Sequence, residues 1–190
     1  MLGCSSRSSS GNGTAPGTPV EAAAAGASST ASSGSSTASH SQLLAEAVQL
    51  EVLARSLSQQ GRLEEAEAAL RNSLAMITQQ LGPGHPNTVA ATTRLALHLN
   101  NANKHTEAER LLRQVLTHKQ AMLGRKHPQV AAASINLAAC LYSQGHYNAA
   151  ARLYSTALET RKAALGDTHA DTAACLNNLA LCYSRWVEVC

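Results

Sequence analysis

Phenylalanine is missing from this chain altogether, and tyrosine and tryptophan bring the aromatic share to only 3%. A core without large rings must be filled by Leu, Ala, Val, Ile and a few Tyr, which suits closely packed helices better than a sheet sandwich. Charge is sparse as well: the net value is +3, with both signs scattered along the chain. That balance is too weak and too mixed for a nucleic-acid surface. No window approaches a run of about 18 apolar residues, so no membrane span is expected. The five cysteines (Cys4, Cys140, Cys175, Cys182 and Cys190) form no CxxC pair and no ligand spacing. They read as small buried apolar side chains in a reducing compartment. A glycine-rich phosphate loop, a nucleophile elbow and paired carboxylates are all lacking, so no catalytic residue, cofactor or metal is assigned.

Charge and bulk are also unevenly spread. Residues 1–40 are mostly Ser, Gly, Ala and Thr, with only Arg7 and Glu21 charged. Such a segment has almost no apolar surface to offset the entropy of ordering it, and a disordered tail is expected. It lacks the apolar core of a secretory signal, and Leu2 in place of glycine excludes myristoylation. These features point to the cytoplasm. The alternative reading of so serine-rich and acid-poor a segment is an organellar transit peptide.

From about Ser41 onward Leu, Ala and charged residues take over, and a phrase recurs. Leu81-Gly82-Pro83-Gly84-His85-Pro86 returns as Leu123-Gly124-Arg125-Lys126-His127-Pro128 and as Leu165-Gly166-Asp167-Thr168-His169-Ala170, a period of 42 residues. Leu53-Ala54, Leu95-Ala96, Leu137-Ala138 and Leu179-Ala180 share the register, as do Gly61, Asn103 and Gly145. Ala66, Ala108 and Ala150 follow, and then Leu70, Leu112 and Tyr154. A fixed period of this length means stacked copies of one small unit. The units fall at about 41–80, 81–122, 123–164 and, in part, 165–190.

Each unit reads as two helices. Helix A starts at a proline, which suits a first turn, and ends at Gly or Asn, which tolerate a left-handed backbone. Helix B carries an apolar stripe such as Leu111, Leu112, Val115, Leu116 and Met122, and closes at Leu-Gly. Alanines at 96, 108, 138 and 150 let the two axes approach, while Leu53, Leu95 and Leu137 fill the space toward the neighbouring unit. His85, His127 and His169 repeat once per unit, too far apart to share an ion, and take a structural role at the start of helix A. His98, His105, His118 and His146 have no carboxylate or thiol partner at useful spacing and read as surface residues. Glu64, Glu65, Glu67, Glu107 and Glu109 complement the start of helix B through its dipole.

These aligned residues resemble a tetratricopeptide repeat, with its Leu-Ala pair, turn glycine, and alanine followed four residues later by a large apolar side chain. The 42-residue period, the Leu-Gly-x-x-His-Pro phrase and Leu176-Asn177-Asn178-Leu179-Ala180 resemble more narrowly the repeats of kinesin light chains and nephrocystin-3-like proteins, over about residues 41–186. The resemblance implies an all-α, right-handed superhelical solenoid whose A helices line a concave groove for a peptide segment of a partner. Kinesin light chains carry a heptad coiled coil ahead of such repeats; here a Ser/Gly/Ala segment stands in that place, so no motor subunit is inferred. The register also asks for glycine at 187, where the chain reads Trp186-Val187-Glu188. A final helix B is therefore missing, which fits either a capping helix A or a truncated array.

Asn136 and Asn178 resemble the groove asparagines of that family, and Arg94 takes their register position in the second unit. Arg55, Gln59, Asn101, Ser143 and Arg185 continue the same stripe. Arg55, Arg94 and Arg185 give the face a mild positive bias suited to an acidic segment; the bland alternative is an ordinary solvated face. The expected function is a non-catalytic protein-interaction module of adaptor type. The alternative is a regulatory segment of a larger enzyme or nucleotide-binding protein. Self-association through the incomplete last repeat, by way of Leu176, Leu179 and Cys182, is a further expectation.

Overall fold

The computed structural model describes residues 33–189, with side-chain surroundings from residue 41 to residue 188. The segment read as a tail therefore lies largely outside the described residues, as do Cys4 and Cys190. The described residues form seven helices and no strand: α1 (Ser33–Gln59), α2 (Leu63–Leu81), α3 (Pro86–Asn101), α4 (His105–Leu123), α5 (Pro128–Ser143), α6 (Tyr147–Leu165) and α7 (Ala170–Val189). Helix α1 begins within the low-complexity segment, at Ser33. Each helix packs on the next in the chain, and α3 also packs directly on α5. The odd-numbered helices are the A row and the even-numbered ones the B row of an α-solenoid.

Two kinds of connector set the geometry. Between A and B, Gly61, Asn103 and Gly145 adopt φ of 79°, 61° and 81°, and Asn103 is the one non-glycine residue at positive φ among those described. Around them the amides of Arg62, Lys104 and His146 donate to the carbonyls of Leu57, Leu99 and Leu141 at 3.0, 2.8 and 2.9 Å. This is the Schellman closure of a helix end, and its last residue is already the cap of helix B. Between B and A, Gly82, Gly124 and Gly166 combine φ of 83°, 80° and 89° with ψ of 164°, 158° and 167°. That combination is open essentially to glycine alone.

The histidines of the recurring phrase cap helix A. Nδ1 of His85, His127 and His169 accepts the amide of Asn87, Gln129 and Asp171, each at 3.1 Å. An acceptor at Nδ1 carries its ring proton on Nε2, so the imidazole does what Ser or Asp does at other helix starts. The Thr88 and Thr172 hydroxyls brace the same loops by donating to the carbonyls of Gly82 and Gly166 at 2.7 and 2.9 Å.

Packing follows the register, with four corrections. Ala54, Ala66, Ala96, Ala108, Ala138 and Ala150 are buried to 1% exposure or less, and Leu95 and Leu137 fill the space between units. Leu53, by contrast, is 48% exposed, because no described unit precedes α1 to cover it. Met122 stands off the stripe of α4, 70% exposed. Cys182 is fully buried and Leu179 packs against the core, so the open face of α7 is made instead by Leu176, Tyr183 and Val187. His98 is not a surface residue: it is buried, with Nε2 at 2.9 Å from the Leu63 carbonyl and Nδ1 at 3.2 Å from the Ser58 hydroxyl. It shares a register position with Cys140, whose thiol donates to the His105 carbonyl at 3.5 Å. The same position thus ties α3 and α5 to the first residue of the helix B that precedes each. His105 Nδ1 also has a partner, the Asn100 side-chain oxygen at 2.9 Å.

A Cβ placed on Gly124 or Gly61 would meet nothing within 4 Å, so substitution there tests the backbone alone. Gly124→Ala is expected to destabilise the chain by about 1–3 kcal/mol. Gly61→Asn should cost under about 1 kcal/mol, because asparagine visits the left-handed region readily and already holds the equivalent position at 103. Urea unfolding of the two variants checks the contrast.

Candidate protein-interaction surface

The residues expected to line a groove fall at three register positions of the A helices, spaced as one helix face. On α1 the face reads Val52, Arg55, Gln59; on α3 Arg94, Leu97, Asn101; on α5 Asn136, Ala139, Ser143; and on α7 Asn178, Leu181, Arg185. Asn136 and Asn178 are half-buried, whereas Arg55, Gln59, Arg94, Asn101, Ser143 and Arg185 are exposed. Leu97, Ala139 and Leu181 were missed as members of this face, although the 42-residue register alone places them beside the others. Leu97 and Leu181 are 37% and 46% exposed and give it an apolar centre.

The polar groups on this face differ in how free they are. The Arg94 guanidinium holds Glu51 of α1 at 2.6 Å, joining neighbouring A helices. Arg185 pairs with Glu188 at 3.0 Å and also hydrogen-bonds Tyr142, and both contacts favour its charged form. The Ser143 hydroxyl donates to the Ala139 carbonyl of its own helix. The side chains of Asn136, Asn178, Arg55, Gln59 and Asn101 have no hydrogen-bond partner among the described residues. Four clefts of about 320 to 510 Å³ open beside the helices, and none of these is lined by the eight predicted residues.

Nothing in the described residues gathers into a chemical centre. No group of three His, Cys, Asp or Glu side chains is placed to hold a metal ion. Burial pushes up the thiols of Cys140, Cys175 and Cys182, which disfavours the reactive thiolate. Burial likewise pushes the Tyr154 hydroxyl up to about 12. No described helix is long and apolar enough to cross a membrane.

A family model of the tetratricopeptide repeat matches residues 44–121, 88–163 and 129–186. The chain belongs to the tetratricopeptide repeat family. Among solved structures, this tetratricopeptide chain is similar to the nearly identical repeats of a Podosopora anserina protein assigned as a kinesin light chain, at 26% identity and a TM-score of 0.68. The match covers 74% of this chain and 67% of that one. A single-substitution variant of the same protein gives the same identity and score, with 66% of its length covered. BtubC from P. vanneervenii shares the fold at 20% identity and a TM-score of 0.64, over 75% of this chain and 57% of that one. Comparison with curated proteins finds no match. Tetratricopeptide arrays of this kin are scaffolds for protein–protein interaction, and the fold is typically non-catalytic.

The B row of the array carries a charged network that the helix dipole alone does not explain. Glu67 of α2 accepts from Lys104 at 2.8 Å and from Arg71 at 2.9 Å, and Arg71 reaches on to Glu107 of α4 at 2.8 Å. The Lys104 ammonium, opposed by burial and helped by Arg71, holds the Glu67 carboxyl below the ordinary carboxylate range. Arg71 does the same for Glu107. A lowered folded-state value means that the unfolded chain binds more protons as acid is added. The stabilisation is therefore complete above the unfolded value near pH 4.3 and is lost as pH falls through the folded one. Glu67→Gln should be less stable than the parent at neutral pH, with the difference shrinking below about pH 4. Urea unfolding across that range reads it, and a difference that stays constant would mean that the carboxylate charge is not what matters.

Proposed function

We propose that the chain is a non-catalytic adaptor that binds an extended or helical peptide segment of a partner protein along the face of its A helices. The observation that carries this reading is the pair Asn136 and Asn178, half-buried at one register position of successive A helices and without a side-chain partner among the described residues. A side-chain amide offers a donor and an acceptor together, which matches a peptide backbone. Leu97 and Leu181 supply apolar contact on the same face, and the likeness to kinesin light chain repeats supports an adaptor role. Arg55, Arg94 and Arg185 favour a segment bearing carboxylates. Because Arg94 and Arg185 already hold Glu51 and Glu188, an acidic ligand must displace those partners. The asparagines therefore carry more of the recognition than the arginines.

Capture of partners on the full chain, repeated with Asn136→Ala/Asn178→Ala, tests the reading. Groove ligands are expected to weaken about tenfold or more for each lost amide pairing. Partners retained equally by both forms would remove the groove assignment and leave the fold intact.

A second reading rests on α7. Its Leu176 and Tyr183 are 44% and 50% exposed, whereas their register counterparts Ser134 and Leu141 are each 5% exposed beneath the neighbouring helices. A second copy of the chain would cover this face. Light scattering should then give a dimer mass that Tyr183→Glu reduces to a monomer; a monomeric parent chain counts against it.

A further inference from the structure

Cations without a carboxylate of their own lie away from the A-helix face. No Asp or Glu occurs between Glu109 and Glu159, a stretch that carries Arg110, Arg113, Lys119, Arg125, Lys126 and Arg152. Arg113 is paired with Glu109 at 2.7 Å, and Arg110 lies near Glu107. Lys119, Arg125 and Lys126 enter no ion pair among the described residues. They stand on the last turns of α4 and in the loop that follows it, with Arg125 and Lys126 exposed. The next unit is built differently: at the end of α6, Lys162 has Asp167 of its own loop at 3.4 Å. The helix dipole favours cations at the C-terminus of α4 and of α6 alike, yet only that of α6 is supplied with a counter-charge.

An apolar recess opens beside these cations. It measures about 330 Å³ and is lined by Pro86, Val89, Ala90, Met122 and Leu123, with His118 and Lys119 also at its wall. Leu123 and Gln129 both line it, so the loop bearing Arg125 and Lys126 runs between two of its lining residues. A second cleft of about 350 Å³ shares Val89 and His118 and continues the apolar lining toward Leu74, Leu111 and Val115. Met122 and Leu123 keep 70% and 41% of their surface exposed here. An unbranched, polarisable methionine at the mouth of such a recess adapts to an incoming side chain. Exposed apolar side chains grouped around a concavity mark an interaction site.

We propose that this recess is a second docking site, for an acidic peptide that seats one apolar side chain against Val89, Ala90, Met122 and Leu123 while its carboxylates meet Lys119 and Lys126. Charge complementarity selects the partner: Lys119, at the wall of the recess, and Lys126, in the loop beside it, enter no ion pair among the described residues, while Arg125 lines a neighbouring cleft. A lipid headgroup plane or a phosphodiester backbone would reach the cations but leave the recess unfilled. A peptide with a single apolar anchor between carboxylates fills both. The site shares no residue with the A-helix face, so the two can stand or fall separately.

A fluorescein-labelled peptide with one leucine between runs of glutamate, titrated with the full chain, tests this. Saturable, salt-sensitive binding is expected, weakened about tenfold or more by Lys119→Glu/Lys126→Glu. Ala90→Leu, which fills the recess without altering charge, should weaken it similarly, as should alanine in place of the peptide's leucine. Asn136→Ala/Asn178→Ala should leave it unchanged. Helical circular dichroism of each variant verifies the fold. Absence of saturable binding overturns the proposal, as does binding that survives the charge reversal or the leucine-to-alanine change. So does a chain that ignores the peptide yet sediments with phosphatidylserine vesicles or retards a single-stranded oligonucleotide.

Discussion

The close approach of each helix A to its helix B is the constraint on which the rest of this array depends. Ala54 and Ala66, Ala96 and Ala108, and Ala138 and Ala150 are all buried to 1% exposure or less. With only methyl groups to accommodate, the paired axes can lie close enough for larger side chains elsewhere on each helix to reach the adjoining unit. Leu95, Leu112 and Leu137, at 4% exposure or less, do so. A bulkier residue at the alanine positions would separate the helices, and overpacking of that kind typically costs about 1–3 kcal/mol.

Much of this was legible in the amino-acid order. The period exposed the alanines, the turn residues and the capping histidines, because each answers to its own local backbone. What escaped was the pairing of side chains between units. His98 meets Leu63, Cys140 meets His105 and Gln144 meets Glu109 at a separation of 35 residues, while Arg71–Glu107, Lys104–Glu67 and Arg94–Glu51 span 36, 37 and 43. Every one of these contacts reaches back roughly one period. A search for complementary groups at that offset, rather than along a single helix, would have moved His98 off the surface and matched Arg94 to Glu51. Exposure at Leu53 and Met122 was illegible for another reason: it depends on what lies beyond the unit, which the register of the unit does not encode.

These pairings change where the surface is electrically open. Of the three arginines expected to give the A-helix face its positive cast, Arg94 and Arg185 are neutralised locally by Glu51 and Glu188, and Arg55 enters no ion pair among the described residues. Besides Arg55 and Arg152, the cations Lys119, Arg125 and Lys126 at the far end of α4 and in its loop enter no ion pair among the described residues. Sequence charge counts cannot make this distinction, since a paired arginine and an unpaired lysine contribute equally to a net value of +3. On the proposed reading, polar recognition along the A row falls to neutral amides and Arg55.

The three glycines that link helix B to the next helix A share φ values between 80° and 89° and ψ values between 158° and 167°. Nearly equal torsions at equivalent joints mean nearly equal rotations, so the array advances by one repeated screw operation. Its inner face is thus a ruler with fixed graduations. Any chain laid along it must present its side chains at that interval, and mismatch accumulates with each further unit engaged. Selectivity in such an array grows with the number of units a partner spans, even where each single contact is weak.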